Sequence, residues 1–265
     1  MDLNLKGRTT VVSGSTAGIG YAAARELARL GARVAINGRT EARVTKAIGT
    51  LKGEVKGAEF IAAPGDLSNA AGATAVIKAC PDADILVNNT AIFSVAKFFD
   101  ITDGEWLRFF ETNVLSGVRL SRYYTPLMVK RGWGRVVFIS SESALHIPVE
   151  MVHYGMTKTA QLAVARGLAE TVAGTGVTVN SVLPGPTMSE GVETFLRQMM
   201  PNAKQDDLDR AGREFVVQHR STSLLGRMTS TEEVANMIAY ICSPASSGTS
   251  GAAVRVDGGV VRAIA

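Results

Sequence analysis

The sequence is poor in the residues that build disulfide frameworks, zinc sites and membrane spans. Its 265 residues include two cysteines, Cys80 and Cys242, without CxxC or Cys/His spacing, which argues against a disulfide framework and a zinc site. The longest run without charge, Thr171–Ser189, is interrupted by glycines and prolines, so it is not expected to cross a membrane. The first residues lack the apolar region of a secretory signal, and we expect a cytoplasmic protein.

Positive charge is in slight excess but is not concentrated anywhere. The 28 Lys and Arg residues against 24 Asp and Glu residues give a net charge of +4 and a pI near 9.2. Because basic residues are scattered among acidic ones, neither a nucleic-acid surface nor a membrane surface is favoured. Apolar residues make up 46% of the chain, and no repeat or linker divides it. We therefore predict one domain over residues 1–265.

Short β-branched runs alternate with amphipathic stretches of helix length. The runs predicted as strands are Thr9–Ser13, Arg33–Asn37, Glu59–Ala63, Ile85–Asn88, Arg135–Ser140, Val177–Val182 and Ala253–Val256. This alternation predicts an α/β fold, a doubly wound parallel seven-stranded sheet of the Rossmann type with helices on both faces. Such sheets bind ligands beyond the carboxyl ends of their strands, so functional residues are expected just after each run.

A glycine-rich turn follows the first predicted strand, and a helical pattern over Tyr21–Leu30 follows the turn. The residues of the turn are Gly14, Ser15, Thr16, Ala17, Gly18, Ile19 and Gly20. Glycines allow a tight turn and let a phosphate approach the amide groups at a helix N-terminus, where the dipole favours an anion. The turn therefore indicates a dinucleotide site, although a plain strand-to-helix turn remains an alternative.

Residues after the second and third strands bear on the choice of cofactor. In dinucleotide-binding folds an acidic residue after the second strand receives a ribose 2′-hydroxyl, whereas an arginine accommodates a 2′-phosphate. Gly38 leaves the acidic position empty and Arg39 follows it, which favours NADP(H), unless Arg39 is only a surface residue. Asp66 and Leu67 follow the third strand, where the carboxylate could accept from an adenine amino group or cap the next helix.

Polar side chains at five further positions could carry binding or chemistry. Asn88 ends the fourth strand, and Asn113 lies inside a helical stretch, where asparagine needs a specific partner. Ser141 follows the fifth strand, from which a hydroxyl could donate to a substrate oxygen. Tyr154 and Lys158 lie four residues apart on a predicted helix, so the ammonium could lower the phenol pKa for proton transfer. A packed tyrosine beside a solvated lysine is the simpler alternative for that pair alone.

In their order and spacing these motifs resemble the short-chain dehydrogenase/reductase family in its common single-domain form. The resemblance runs from Leu5 to Gly259, and the separations of thirteen residues between Ser141 and Tyr154 and of four between Tyr154 and Lys158 are part of it.

The resemblance assigns roles to four residues. It implies that Tyr154 is the acid/base, that Ser141 orients the substrate oxygen, and that Lys158 holds the nicotinamide ribose and lowers the tyrosine pKa. It further implies that Asn113 anchors a water of a proton relay and that no metal is needed.

The family's PG segment has its counterpart in Pro184 and Gly185. The resemblance implies that Thr187 and Ser189 meet the nicotinamide carboxamide. It also implies a substrate lid over about residues 186–225. The helical stretches in that lid are Glu190–Met200 and Asp206–His219.

Some of the residues that flank the catalytic segment, between Ser141 and Tyr154, are expected to line the pocket. They are Glu142, His146, Met151 and His153.

The sequence thus predicts an oxidoreductase that uses NADPH in preference to NADH, with NAD(H) also open, and interconverts a secondary alcohol and a carbonyl compound. The substrate class stays open among 3-oxoacyl thioesters, sugars or polyols, steroids and small ketones. A non-catalytic NADP(H)-sensing regulator on the same fold is one alternative, and a nucleic-acid-associated protein, favoured only by the pI, is another. The resemblance implies a homotetramer or homodimer.

Overall fold

A parallel β-sheet lies at the centre of the computed structural model, which describes residues 3–199 and 207–264. In chain order the strands are β1 Thr9–Val12, β2 Arg33–Gly38, β3 Phe60–Pro64, β4 Ile85–Asn88, β5 Gly134–Ile139, β6 Val177–Pro184, β7 Thr187–Met188, β8 Thr229–Ser230 and β9 Ala253–Val256. Seven of them form the main sheet in the order β3-β2-β1-β4-β5-β6-β9, and every neighbouring pair is parallel. The predicted doubly wound seven-stranded sheet is confirmed, with strand ends shifted by one or two residues.

Helices cover both faces of this sheet. In chain order the helices of the described residues are α1 Gly18–Arg29, α2 Glu41–Glu54, α3 Ala70–Ala79, α4 Asp103–Phe110, α5 Ser116–Arg131, α6 Val152–Thr171, α7 Glu190–Met199, α8 Leu208–His219 and α9 Thr231–Cys242. Buried side chains of α1, α2 and α9 form one core cluster with the sheet, and those of α3, α5 and α6 form the second. Within the described ranges, every helix is too short or too polar to span a membrane.

Alternation along the central strands supplies both core clusters. In β5, Val137 and Ile139 pack in the cluster with α1, whereas Val136 and Phe138 pack in the cluster with α5. A strand covered on both faces needs apolar residues at successive positions, which is why residues 136–139 of β5 form a continuous apolar run instead of an alternating one.

The strand order creates a crevice between β1 and β4. From β1 the chain winds outward through β2 to β3, and from β4 it winds in the opposite direction through β5 and β6. At such a reversal the loops after the two central strands diverge and leave space beyond their carboxyl ends. The glycine turn follows β1 directly, so the fold places it at this crevice.

A small unit made of β7, α7, α8 and β8 lies between β6 and β9 in the chain. Its helices α7 and α8 correspond to the predicted stretches, of which Met200 and Asp206 lie outside the described residues. Side chains of this unit share an apolar cluster that includes Leu196, Leu208 and Val216. That residues 186–225 act as a lid, and that the chain is one domain, stay predictions.

Replacing Val44 by alanine should lower the free energy of unfolding by about 2 kcal/mol, because two buried methyl groups are lost and a cavity remains. Val44 lies in α2 and is 0% exposed. The matched control is Val217→Ala in α8, where the side chain is 63% exposed and the change should stay within about 0.5 kcal/mol. Urea unfolding of the two variants measures the difference, and equal losses would contradict this account of the core.

Candidate active site

The crevice opens into a cleft of about 1350 Å³ at the carboxyl ends of the central strands. Most of the predicted site residues line it: Gly14, Thr16, Gly18, Ile19, Arg39, Asp66, Leu67, Ser141, Tyr154, Lys158, Pro184, Gly185, Thr187 and Ser189. Four predicted residues do not line it: Ser15, Gly20, Asn88 and Asn113. Ser15, Gly20 and Asn113 contact residues of the lining or of the loops that carry it, whereas the Asn88 side chain bonds to Ser121 of α5.

The glycine turn presents backbone donors to one end of the cleft. Gly14 and Gly18 adopt left-handed φ values of 60° and 57°, and α1 begins at Gly18, inside the turn. The N-cap residue Ala17 gives α1 no side-chain cap, so no side-chain oxygen occupies its first-turn amides. A Cβ at Gly20 would lie 2.4 Å from the Gly14 carbonyl oxygen, which requires glycine there. The arrangement fits a phosphate group of a dinucleotide.

Ser15 and Asn37 brace the turn from below. The Ser15 hydroxyl donates to the Val12 carbonyl at 2.7 Å and accepts from the Asn37 amide at 2.9 Å. The Asn37 carboxamide accepts from the Gly14 amide at 3.0 Å and donates to the Ala63 carbonyl at 2.9 Å. Ser15 is 0% exposed, so its side chain supports the site instead of lining it. Sequence analysis missed Asn37, although an amide at the end of an apolar strand was a signal.

Asn88 at the end of β4 and Asn89 directly after it bond to different parts of the fold. Asn89 donates to the carbonyl oxygens of Ser13 and Gly14, both at 3.0 Å. Asn88 points toward α5, where its amide donates to the Ser121 hydroxyl at 3.1 Å. Asn88 therefore ties the sheet to α5, and its side chain does not face the cleft.

Two arginines stand where the second strand ends. A Cβ at Gly38 would lie 2.6 Å from Thr16 Cγ2, so any side chain at this position would require Thr16 to move. Arg39 and Arg43 are exposed and line the mouth of the cleft. Sequence analysis missed Arg43, whose spacing of four residues from Arg39, in the first turn of α2, was the available signal.

Asp66 faces the cleft and is not a helix cap. Its carboxylate accepts from the Ser68 amide at 3.0 Å, whereas the side chain that caps α3 belongs to Asn69, which accepts from the Gly72 amide at 2.9 Å. The capping alternative for Asp66 is therefore wrong, and its position at the end of the cleft agrees with the adenine contact.

Asn113 holds the loop after β4 against α6. It lies in a π-helical turn between α4 and α5, a local irregularity that is frequent at functional sites. Its carboxamide accepts from the Ile92 amide at 2.8 Å and donates to the Ile92 carbonyl and the Thr157 hydroxyl, both at 3.0 Å. The predicted need for a specific partner is confirmed.

Lys158 is buried at the centre of the site. It is 2% exposed, and its ammonium donates to the Ile139 carbonyl at 2.9 Å and to Gln161 Oε1 at 3.2 Å. Gln161 in turn donates through Nε2 to the Asn113 carbonyl at 2.6 Å. Gln161 therefore links the Asn113 carbonyl to Lys158, and the water of a proton relay that the resemblance implies stays a prediction. Burial lowers the pKa of Lys158 to about 7.

Tyr154 and Ser141 lie together beside Lys158. Burial raises the pKa of Tyr154, and its hydrogen bond with Ser141 opposes that effect. The Lys158 Nζ lies 5.5 Å from the centre of the Tyr154 ring and bonds to other oxygens. The expected lowering of the Tyr154 pKa by Lys158 is therefore corrected: the cost of burying a phenolate outweighs it in this structure.

The residues after β6 close the other side of the cleft. The Thr187 hydroxyl donates to the Gly185 carbonyl at 2.9 Å and lies 2.9 Å from the Thr229 hydroxyl. Ser189 Oγ accepts from the Val192 amide at 3.4 Å at the start of α7. The Cβ of Ser189 lies 3.5 Å from where a Cβ of Gly18 would be, so this residue faces the glycine turn. This segment thus reaches back to the turn after β1.

Two of the four residues that flank the catalytic segment line the cleft. They are Glu142 and Met151, whereas His146 lies outside the lining. His153 is buried, with its ring centre 4.1 Å from that of Phe109. Its Nε2 lies 3.2 Å from the hydroxyl of Ser94, which does line the cleft, so His153 packs behind the lining.

Comparison with known proteins extends the likeness over the whole chain. A family profile described as "Enoyl-(Acyl carrier protein) reductase" matches residues 14–261. The chain is 47% identical over 264 residues to the "Uncharacterized oxidoreductase YvaG" of Bacillus subtilis, with 100% of both chains covered. It is 32% identical over 263 residues to "Dehydrogenase/reductase SDR family member 4" of Bos taurus, covering 96% of this chain and 88% of that one.

A solved structure shows the same likeness in three dimensions. L-sorbose reductase from Gluconobacter frateurii, complexed with NADPH and L-sorbose, is similar with a TM-score of 0.92 and 27% identity, and 100% of each chain is covered. The similarity therefore includes the small unit between β6 and β9 as well as the sheet.

Lys158→Met should stabilise the protein near neutral pH and lose this advantage as the pH rises. Lysine in an unfolded chain has a pKa of about 10.4, so between about pH 7 and 10 the unfolded chain binds more protons and wild-type stability increases with pH. We expect Lys158→Met to be about 2 kcal/mol more stable at pH 7, after allowing for the lost bond to Gln161.

Urea unfolding at pH 7 and pH 9.5 measures this difference. The exposed Lys46, replaced by methionine, is the control and should show no such pH dependence. An advantage of Lys158→Met that is the same at both pH values would contradict the cost assigned to the buried ammonium.

Proposed function

Because the chain belongs to the short-chain dehydrogenase/reductase family of oxidoreductases, we propose that it interconverts a secondary alcohol and a carbonyl compound, with NADPH as the preferred cofactor. The observation that carries the proposal is the shared position of Ser141, Tyr154 and Lys158 in one cleft with the glycine turn. A dinucleotide lying along the cleft would reach from that turn to the tyrosine.

The lining residues fit a nicotinamide dinucleotide along its whole length. We assign the phosphates to the first-turn amides of α1, the adenine amino group to Asp66, the ribose to Lys158 and the carboxamide to the segment that contains Thr187 and Ser189. The bound nicotinamide supplies or accepts the hydride, and the protein supplies position and protons.

In this proposal the side chains of Ser141 and Tyr154 bind the substrate oxygen and transfer its proton. The Ser141 hydroxyl holds the oxygen beside Tyr154, which protonates it in the reductive direction and removes its proton in the oxidative direction. Lys158 contributes charge and position beside the phenol. Apolar lining residues, among them Phe93 and Met151, limit access of water and strengthen these interactions.

The preference for NADPH rests on the end of β2. Gly38 occupies the position of the acidic side chain that selects a free 2′-hydroxyl, and an acid there would require Thr16, 2.6 Å from the Cβ position, to move. Arg39 and Arg43 place two exposed guanidinium groups at the mouth of the cleft, where they can meet a 2′-phosphate. NAD(H) would lack that contact.

Among the substrate classes we put ketoses and polyols first. The similar L-sorbose reductase binds a ketose, and the substrate end of this cleft has charged lining groups, Glu142, Glu150 and Arg220, beside its apolar ones. A panel that contains L-sorbose, 5-keto-D-gluconate, acetoacetyl-coenzyme A and 2,3-butanedione separates this class from thioesters and small ketones when NADPH oxidation is followed.

We further propose a cytoplasmic homodimer or homotetramer. Large apolar side chains stay uncovered on one protomer, including Phe99 at 95% and Val149 at 83% exposure. A subunit contact would bury such groups.

Tyr154→Phe should reduce kcat by about 10²–10⁴-fold, because the variant keeps the ring but has no proton to transfer. NADPH affinity, measured by fluorescence titration, should change little. Steady-state turnover on the best compound of the panel is the readout. A variant that turns over like the wild type would refute the proton-transfer role, and a wild type that binds NADPH without turning over any panel compound would favour the non-catalytic sensor.

Replacing both Arg39 and Arg43 by alanine should weaken NADPH binding about tenfold or more and leave NADH binding nearly unchanged, because only NADPH offers a charge-assisted contact at the 2′ position. Parallel titrations with the two cofactors provide the measurement. Arg33→Ala, at the exposed start of the same strand, is the matched control. Equal weakening for both cofactors would contradict the assignment of the arginines.

A further inference from the structure

A buried carboxylate lies directly beside the proposed catalytic serine. The Glu142 side chain is 3% exposed, and its Oε1 accepts from Arg220 Nε at 2.7 Å. Its Oε2 accepts from the Ser141 hydroxyl at 3.2 Å and from the Ser143 hydroxyl. Both carboxylate oxygens are therefore engaged, one with an arginine and the other with the serine pair. The roles assigned to Ser141, Tyr154 and Lys158 do not account for this carboxylate.

The arginine reaches Glu142 from the unit between β6 and β9. Arg220 follows the last residue of α8, and its backbone amide donates to the Val216 carbonyl at 2.8 Å. Its side chain is 8% exposed, and Nη1 donates to the His219 carbonyl at 2.7 Å and lies 3.8 Å from Glu150 Oε1. The guanidinium is thus fixed at the end of α8, 78 residues away from Glu142 along the chain.

A buried ion pair is a poor source of stability by itself. Removing two charges from water costs about as much as their attraction returns, and apolar side chains of similar volume often fill such a place as well. The presence of the Glu142–Arg220 pair is better explained by the residues that it contacts than by a gain in folding stability. Those contacts lead to the Ser141 hydroxyl on one side and to the end of α8 on the other.

The pair gives the Ser141 hydroxyl a defined orientation. Ser141 Oγ accepts from the Ser143 amide at 3.1 Å and donates to Glu142, and it hydrogen-bonds with Tyr154. Ser141 has a single hydroxyl proton, which these contacts direct to Glu142 in the free protein, so a substrate oxygen must take that proton over from Glu142. The Ser143 amide and Tyr154 keep the Ser141 oxygen in place while the proton turns.

We propose that Glu142 is a positioning residue for Ser141 and that Arg220 couples this position to the unit between β6 and β9. The proposal rests on the proposed function, since it assigns Ser141 to the substrate oxygen. A movement of α8 would then be transmitted through one ion pair to the reaction centre.

The charges of the pair act on Tyr154 in opposite directions. After burial and the Ser141 bond, the carboxylate of Glu142 raises the pKa of Tyr154 and the guanidinium of Arg220 lowers it. Of the other titratable or charged groups, Lys158 and His153 share α6 with the tyrosine, and Glu150 precedes that helix. Arg108 of α4 and His219 of α8 line the same cleft. None of these changes in the variants below.

Glu142→Gln, Arg220→Gln and the double variant test the proposal through the pH dependence of kcat/KM for reduction of the best compound of the panel. The Tyr154 limb is the part of the profile in which kcat/KM falls because Tyr154 loses its proton. Loss of the carboxylate should move this limb to lower pH, and loss of the guanidinium should move it to higher pH. The limb of the double variant should lie between those of the single variants. In Glu142→Gln we also expect kcat to fall about 100-fold, as for a displaced reacting group, with the KM for NADPH unchanged.

Three further measurements separate positioning from general loss of structure. Arg227→Gln removes an ion pair of the same 2.7 Å N–O distance at the start of α9, and it should leave the pH profile unmoved. Arg220→Lys keeps the charge and should restore most of the profile. Thermal unfolding reports the folded fraction of each variant; if Glu142→Gln does not fold, Glu142→Asp, which shortens the carboxylate without removing it, should still lower kcat and leave the limb near its wild-type pH.

A shift of the limb in the same direction for both single variants, or an unmoved limb with unchanged kcat, would overturn the proposal. Either result leaves the proposed function in place as long as Tyr154→Phe is inactive. Turnover by Tyr154→Phe would instead overturn the proposed function itself.

Discussion

Parallel pairing of the strands is the constraint on which the site depends. Because β1, β4, β5 and β6 run in the same direction, their carboxyl ends meet at one edge of the sheet. The glycine turn, the amides after β4, Ser141 and the segment after Pro184 each follow one of these strands directly. Residues more than 100 positions apart therefore share one cleft, and no loop has to be long to bring them together.

Buried polar groups at this edge hold one another in place. Asn37, Asn89 and Asn113 each use their carboxamides on backbone groups of neighbouring loops. Since an unpaired polar group in a core is costly, such a network permits few alternative loop positions. The backbone donors of the glycine turn are therefore fixed by the protein itself, which reduces the ordering that a ligand must impose.

The reaction centre combines this rigidity with buried charge. Lys158, Glu142 and Arg220 are all nearly excluded from water. In such a buried environment charge interactions are stronger than at the surface. Burial moves the pKa of Lys158 down to about 7 and that of Tyr154 up, so the two groups move apart in proton affinity. Tyr154 therefore keeps its proton near neutral pH, whereas Lys158 exchanges its proton readily there.

The sequence by itself determined the parallel α/β fold, the glycine turn and the spacing of Ser141, Tyr154 and Lys158. These features depend on local periodicity and short separations, which nearest neighbours along the chain encode. Tertiary structure alone decided that Ser15 braces the turn. It also decided that Gln161 joins Lys158 to Asn113, and that Arg220 meets Glu142. The bonding partners of these side chains depend on how elements distant in the sequence pack together. The spacing of residues along the chain does not contain that information.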